Sequence, residues 1–248
     1  MRAYKAFTGS LILLWSSDLT LAADWYTGAS VPVQKDDWLV AIDSSLSFTS
    51  TGSTFGRISA TGALSNPLTF SGPRYRIEGG GGTFSYNSGA TGSHVNGTQV
   101  YGSFLGGYEK VWANGSMAGY LGVDAKSTSL SAPDPANTTA GISAGLKAVA
   151  EFYLKPWDRT MVSGIASYST IHNSFYGNVR AGYELFGAGY LGPEFTVLSD
   201  SSFTQMRGGV FYSAPKFYGV QFGVSAGVVS DTRTQSGAYG TLSARLGF

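Results

Sequence analysis

Hydrophobic and polar residues alternate along most of the chain. Residues 217–229 read FYGVQFGVSAGVV, in which an apolar row from Tyr218 to Val228 interleaves with a row of small or uncharged polar residues from Gly219 to Gly227. A period of two is typical of a β-strand, whose successive side chains point to opposite faces of a sheet. The segment therefore predicts a strand with one apolar face and one small, polar face.

The same alternation recurs between turn signals and predicts a long series of strands. The predicted strands cover residues 98–109, 115–126, 140–154, 159–171, 174–185, 189–198, 203–213, 217–229 and 237–248, preceded by 25–33, 37–49 and 74–87. Strands of globular proteins usually have about 5–6 residues, whereas a tilted strand needs about 9–11 to cross a bilayer. The lengths favour strands that span a membrane.

Charged residues fall on only one face of these strands. The polar rows carry five acids and four bases, namely Asp43, Asp124, Lys147, Glu151, Arg180, Glu184, Glu194, Arg207 and Arg245. The apolar rows carry essentially none. An Arg or Lys on the lipid side at the bilayer midplane costs about 2–4 kcal/mol. We therefore expect the apolar rows to face lipid and the nine charges to line the lumen of a barrel, either paired as a plug or along a narrow conduit.

Composition supports this class of protein. Only 12% of the 248 residues are charged, against about 25% in soluble domains, and there is no cysteine for a disulfide or a thiolate metal site. Glycine (35 residues) and aromatic residues (14%) disfavour a helical chain. Arg2 and Lys5 precede a short apolar stretch and the pair Ala22-Ala23, which predicts a signal peptide over residues 1–23. Without residues 1–23 the chain is formally neutral, and it offers no basic surface for nucleic acid.

These observations predict an all-β fold, a transmembrane antiparallel up-and-down β-barrel over residues 24–248. We expect about twelve strands, with ten as the alternative, and 50–97 as a long, loop-rich excursion because its periodicity is poor. Short turns on one side and longer loops on the other are typical of outer-membrane barrels. Four aromatic residues at the short turns predict an interfacial girdle: Trp112, Trp157, Phe186 and Phe217.

Few residues offer catalytic or ligand-binding chemistry. The run GGGG at 79–82 lacks the Lys-Ser/Thr and the strand-to-helix context of a phosphate loop. His94 and His172 lie in different loops without partners at metal-ligand spacing. His172 with Asn173 and Ser169 or Ser174 would be the candidate site of an outer-membrane hydrolase, but nothing orders them into nucleophile and base. We predict no catalytic, cofactor-binding or metal-binding residues, no cofactor, and a protein that is not an enzyme.

Several segments resemble a known family. The run ASYSTIHNSFYGNVRAGYELFGAGYLGPEF at 166–195 is similar to the most characteristic segment of the cellulose biosynthesis protein BcsS family. It contains Ser-Tyr-Ser-Thr at 167–170, Arg180 with Gly182 and Tyr183, and Gly-Pro-Glu at 192–194. DDWLV at 36–40, LGGYEKVW at 105–112, the run 119–152 and GAYGTLSARLGF at 237–248 also match. The likeness is weakest over 50–97.

The resemblance implies an outer-membrane protein of cellulose biosynthesis that acts in export or surface retention of the polysaccharide. Expected partners are outer-membrane lipid, cellulose or another glucan, and other cellulose-synthesis components. Tyr168, Phe175 and Tyr176 could stack on a glucan at the barrel mouth, although we favour an interfacial girdle. The alternatives are a general small porin without a glucan role, an outer-membrane hydrolase and a soluble lipocalin-like or sandwich protein.

Overall fold

The computed structural model describes residues 38–135, 137–201, 203–232 and 236–248. The predicted signal peptide and the predicted strand 25–33 lie outside these ranges. Twelve strands and one 3₁₀ turn form the described part. The strands are β1 (Val40–Thr49), β2 (Thr54–Ala63), β3 (Gly72–Asn87), β4 (His94–Trp112), β5 (Gly115–Leu130), β6 (Gly141–Leu154), β7 (Thr160–Ser169), β8 (Ser174–Glu184), β9 (Tyr190–Asp200), β10 (Phe203–Ser213), β11 (Val220–Asp231) and β12 (Gly237–Gly247).

The strands close into one antiparallel barrel. Each strand pairs with its neighbours in sequence, and β1 pairs with β12 to complete the cylinder, with Ser45 opposite Ser243. The prediction of a twelve-stranded up-and-down barrel is confirmed. Closure satisfies every strand edge, which a bilayer requires because lipid offers no hydrogen bonds. Where the structure describes the chain, it contains no helix with the length and apolarity needed to cross a bilayer.

The structure corrects the description of residues 50–97. This range contains β2, β3 and the first residues of β4 rather than one loop-rich excursion. The structure reaches twelve strands by including β2, whereas the prediction reached twelve by including 25–33. The outward positions of β2 include Gly56, Ala60 and Gly62, and its inward positions include Ser59 and Thr61. Because neither face of β2 is strongly apolar, the alternation is almost invisible in the sequence.

The two ends of the barrel differ in what they carry. We call the end with Trp38 and Phe248 and the turns at 64–71, 113–114, 155–159, 185–189 and 214–219 the chain-end rim. The opposite end, with the connections 50–53, 88–93, 131–140, 170–173, 201–202 and 232–236, is the loop rim. Connection lengths overlap at the two rims, contrary to the expected division into short turns and long loops. The strands themselves differ in length instead, since β3 to β6 are longer than the other strands.

The outer surface is apolar all round. Every strand exposes at least one large hydrophobic residue, for example Ile58 (55%), Phe104 (56%), Leu121 (71%) and Val224 (46%). Within the strands that the structure describes, Lys110 carries the sole outward-facing charge, two residues from the end of β4. The four predicted girdle residues lie at the chain-end rim and are exposed. The outer wall therefore has the surface that a lipid bilayer requires.

Glycine and aromatic residues meet across neighbouring strands. Gly107 lies opposite Tyr120, and a Cβ at Gly107 would be 2.6 Å from the tyrosine ring. Gly80, in the GGGG run of β3, lies opposite Tyr101, and a Cβ there would be 2.7 Å from that ring. The rings thus lie flat against the lumen wall where glycine leaves room. This arrangement explains why a chain rich in glycine is also rich in aromatic residues.

Candidate functional site: the lumen

The structure places all nine predicted lumen charges on inward-facing positions. Six are buried and three are partly exposed, the latter being Asp43, Glu184 and Arg245. They do not form one ring. Lys147, Glu151 and Asp124 join a network on one side of the lumen, Arg180, Glu194 and Arg207 lie on the other side, and Asp43, Glu184 and Arg245 lie near the chain-end rim.

Glu78 of β3 is the centre of the first network. Arg57 Nη2 donates to its Oε1 at 3.0 Å and Lys147 Nζ donates to its Oε2 at 2.7 Å. Arg76 is 3.9 Å from the same carboxylate, and its Nη2 also donates to Glu151 Oε2 at 2.7 Å. The network joins β2 and β3 to β6, which is three strands away from β3. Buried charges are tolerated only when paired in this way.

Hydroxyl and aromatic groups extend this network. Lys147 donates to Ser103 Oγ at 3.2 Å, and Ser103 donates to Asp124 Oδ1 at 2.9 Å. The guanidinium of Arg76 lies 4.3 Å from the centre of the Tyr120 ring, within range of a cation–π contact. Asp124 is therefore connected to Glu78 through two side chains.

A second network spans the opposite side of the lumen. Arg180 pairs with Glu194, which also accepts a hydrogen bond from Tyr239 at 3.0 Å. Arg207 of β10 donates to Ser47 of β1 at 3.1 Å and to Gln205 at 2.6 and 2.8 Å. The two networks hold strands that are not neighbours in the sheet, so they fix the cross-section of the barrel.

Apolar packing and hydrogen bonds from the 131–135 segment narrow the lumen toward the loop rim. Tyr86 of β3, Val95 of β4 and Phe203 of β10 form a buried cluster that joins strands on opposite sides of the barrel. Asp134 accepts hydrogen bonds from Tyr86 Oη at 2.7 Å and from Ser88 Oγ at 2.9 Å. These bonds tie Asp134 to the end of β3 and to the connection that follows it.

The lumen is open toward the chain-end rim. A cavity of about 780 Å³, here called the vestibule, extends from the turns of this rim to the Arg76–Glu151 pair. Its lining combines aromatic residues with six charged ones and includes Trp38, Glu109, Trp112, Tyr120, Tyr153, Lys155, Glu184, Tyr190 and Arg245. The vestibule is thus a pocket whose entrance lies at the chain-end rim.

Sequence reasoning missed several buried charges of the lumen. Arg57, Arg74, Arg76 and Glu78 all lie within 50–97, the range with the weakest periodicity, and Glu109 pairs with Arg74 at 3.0 Å. A local signal was present, because RYRIE at 74–78 alternates charged residues with Tyr and Ile. That short run predicts a strand with a charged inward face.

The geometry gives little support to the other candidate sites, namely a hydrolase site at His172, an aromatic glucan site and a metal site. Ser169 Oγ accepts the Ile171 amide N–H and Ser174 Oγ donates to the Ile171 carbonyl, so neither hydroxyl is directed at His172. Tyr168 and Phe175 face outward near the loop rim, whereas Tyr176 is 2% exposed inside the lumen. In the described ranges, no three His, Asp or Glu residues come close enough together to hold a metal ion.

Comparisons with known proteins give one family match and several structural likenesses. The family described as cellulose biosynthesis protein BcsS matches residues 25–248. No curated protein sequence matches the chain.

Among solved structures, the KdgM porin is 13% identical with a TM-score of 0.47, and the match covers 84% of this chain and 99% of the porin chain. The KdgM porin in complex with disordered oligogalacturonate gives 13% identity, the same coverages and a TM-score of 0.46. The translocator domain of the autotransporter NalP from Neisseria meningitidis is 12% identical, covers 86% of this chain and 88% of its own, and has a TM-score of 0.34.

Proposed function

Because the chain belongs to the cellulose biosynthesis protein BcsS family, we propose that it is an outer-membrane barrel that retains cellulose at the cell surface. Export through the lumen is the other role expected for such a barrel, and the arrangement of the lumen makes it the less favoured one. Residues 1–23 act in this proposal as the signal that directs the chain out of the cytoplasm. The expected partners are outer-membrane lipid, cellulose and other components of cellulose synthesis.

The outer surface supports placement in a membrane. Exposed apolar side chains on all twelve strands surround a lumen that holds almost all of the strand charges. In water, so large an apolar band would drive aggregation. In a bilayer the same band is the favourable surface, and the inward charges avoid the cost of contact with lipid.

The packing across the lumen is the observation that favours retention over export. A glucan chain in transit needs a continuous path, but the Tyr86–Val95–Phe203 cluster joins opposite sides of the lumen toward the loop rim. The Glu78 network also crosses part of the lumen at mid-height. Passage would require the disruption of buried hydrogen bonds and ion pairs, each of which costs free energy when only one partner is removed.

Deletion of the gene tests the proposal, with total and cell-bound cellulose measured separately. Retention predicts unchanged total cellulose with a larger share released into the medium. Export predicts less extracellular cellulose and accumulation in the periplasm. Re-expression of the full-length chain should restore the cell-bound share, and fractionation should recover the protein with outer membranes.

Two outcomes would replace the proposal with an alternative function. Large, steady conductance of the purified protein in planar bilayers, together with normal cellulose in the deletion strain, would indicate a general porin. Lipid or peptide hydrolysis that is abolished by His172→Ala would indicate a hydrolase. Either result contradicts a role in retention.

A further inference from the structure

The vestibule has the size and shape of a ligand pocket. Its volume of about 780 Å³ lies within the roughly 300–1,000 Å³ range of small-molecule sites. It ends at Arg76, Glu151 and Tyr120, so a ligand would enter and leave by the chain-end rim. A pocket that ends inside the lumen binds a small molecule or the end of a longer one.

Polar groups near the entrance have unused hydrogen-bonding capacity. Nε and Nη1 of Arg245 are buried, and among the described residues neither has a hydrogen-bond partner. The nearest carboxylate, that of Asp43, lies 3.7 Å from Nε. The Glu184 carboxylate and the Lys155 ammonium also line the vestibule, where the ammonium lies 5.9 Å from the centre of the Tyr190 ring. The Glu184 carboxylate accepts hydrogen bonds and the Lys155 ammonium donates them, so a ligand that carries hydroxyl groups would be stabilised here.

Aromatic side chains provide the second half of the lining. Trp38, Trp112, Tyr120, Tyr153 and Tyr190 all border the cavity. Aromatic rings offer large, flat apolar surfaces, and Tyr and Trp add a hydrogen-bonding group at the edge. A sugar ring matches both features, because its C–H faces pack on aromatic rings and its hydroxyls both donate and accept hydrogen bonds.

The charges of the vestibule balance. Arg76, Lys155 and Arg245 face Glu109, Glu151 and Glu184 within the same cavity. With no excess of cations, the cavity has no attraction for an acidic polysaccharide. It suits a neutral sugar, whose hydroxyls are satisfied by carboxylates as acceptors and by guanidinium or ammonium groups as donors.

We propose that the vestibule binds the end of a neutral β-glucan chain that enters from the chain-end rim. The choice of glucan rests on the proposed function, whereas the preference for a neutral sugar rests on the geometry of the cavity. Glu184, Lys155 and Arg245 bind the hydroxyls, and the aromatic rings pack against the sugar faces.

Binding of cellohexaose to the purified full chain in detergent tests this proposal. Tryptophan fluorescence reports on the site because Trp38 and Trp112 line it, and calorimetry gives an independent dissociation constant. We expect saturable binding of cellohexaose and no binding of hexagalacturonate. Glu184→Ala and Arg245→Ala should each weaken binding about tenfold or more, which corresponds to roughly 1.4 kcal/mol.

Matched variants separate binding from folding. Asp158 lies exposed in the 155–159 turn of the same rim, so Asp158→Ala should leave the dissociation constant unchanged. Heat-dependent mobility in gels checks that each variant is folded. Glu184→Gln preserves the side-chain shape and removes only the charge. It is the second test of the site if Arg245→Ala does not assemble.

Folded wild-type protein that fails to bind cellohexaose would overturn the inference, as would equal binding by the variants and the wild type. These outcomes are distinct from failure of the proposed function. Saturable binding with normal cellulose in the deletion strain would contradict retention and leave the site intact, whereas loss of cell-bound cellulose without binding would do the reverse.

Discussion

The lumen has the same wall along its length, yet its two ends are built differently. Toward the loop rim, side chains from opposite strands meet, and Asp134 bonds to Tyr86 and Ser88 within a buried cluster. Toward the chain-end rim, Glu184, Lys155 and Arg245 surround an open cavity and have few partners. A strand alternation that points polar groups inward is therefore compatible with both a packed core and a pocket. What differs is whether the inward groups satisfy one another.

The largest effect should come from removing the centre of the packed region. Glu78→Ala leaves Arg57, Arg76 and Lys147 without their shared carboxylate, and breaking a buried pair costs about 3–5 kcal/mol. Asp43→Ala is the matched variant near the vestibule, where the pair with Arg245 is long and partly exposed, so about 0–1 kcal/mol is expected. Urea unfolding in detergent measures both, and equal losses would remove the distinction between the two ends.

A second prediction tests which face of the wall meets lipid. Val224→Arg places a charge on the outer surface near the middle of β11 and should cost about 2–4 kcal/mol of assembly free energy. Gln221→Arg is the control, because Gln221 faces the lumen and is only partly buried. Ser225 is a poorer control, since it is 3% exposed and an arginine there would overfill the packed lumen. The folded fraction after insertion into lipid vesicles, read from heat-dependent mobility, is the measurement. Equal folded fractions would contradict a lipid-facing outer surface.

The anchoring of the 131–140 connection at the loop rim should depend on Asp134. Asp134→Ala leaves the hydroxyls of Tyr86 and Ser88 without their acceptor, a loss of about 1–3 kcal/mol. We expect proteinase K to cleave the 131–140 connection faster in this variant. Thr138→Ala serves as control, because the bond that its hydroxyl makes within the described residues is to exposed Ser201, at 3.3 Å. An unchanged cleavage rate for Asp134→Ala would mean that other contacts hold the loop.

The smallest effect is expected at His172, in the turn between β7 and β8. His172→Ala should change the free energy of unfolding by no more than about 0.5 kcal/mol at neutral pH. Partial burial, and then the Lys126 ammonium, lower the pKa of His172 below 6.5. Because the unfolded state then binds a proton more readily, wild-type stability should fall as the pH drops through 6.5, and the variant should lose less. Unfolding curves at pH 5 and pH 8 measure this difference.

Much of the wall could be predicted from local pattern. In β11, large apolar residues such as Phe222 and Val224 alternate with Gly223 and Ser225, so a period of two was sufficient to predict the strand and its two faces. The pattern failed in β2, where Gly56, Ala60 and Gly62 occupy outward positions that other strands fill with bulky residues. Small residues facing lipid are tolerated in a barrel, but they leave no hydrophobic signal in the sequence.

The partners of the lumen charges could not be predicted from local pattern. Lys147 bonds to Glu78 from 69 positions away, and Arg207 bonds to Ser47 from 160 positions away. Such pairs depend on the number of strands and on their stagger around the cylinder, which a local period does not encode. The vestibule depends on the same quantities, since its lining comes from turns that are far apart in the chain.

The pairing of β1 with β12 imposes an order on the making of this protein. Ser44 meets Ala244 across the seam, 200 positions later in the chain. Until β12 has been synthesised, β1 has one side without a partner, and an unpaired strand edge is a site of aggregation. The cylinder therefore cannot be sealed while the chain is still growing.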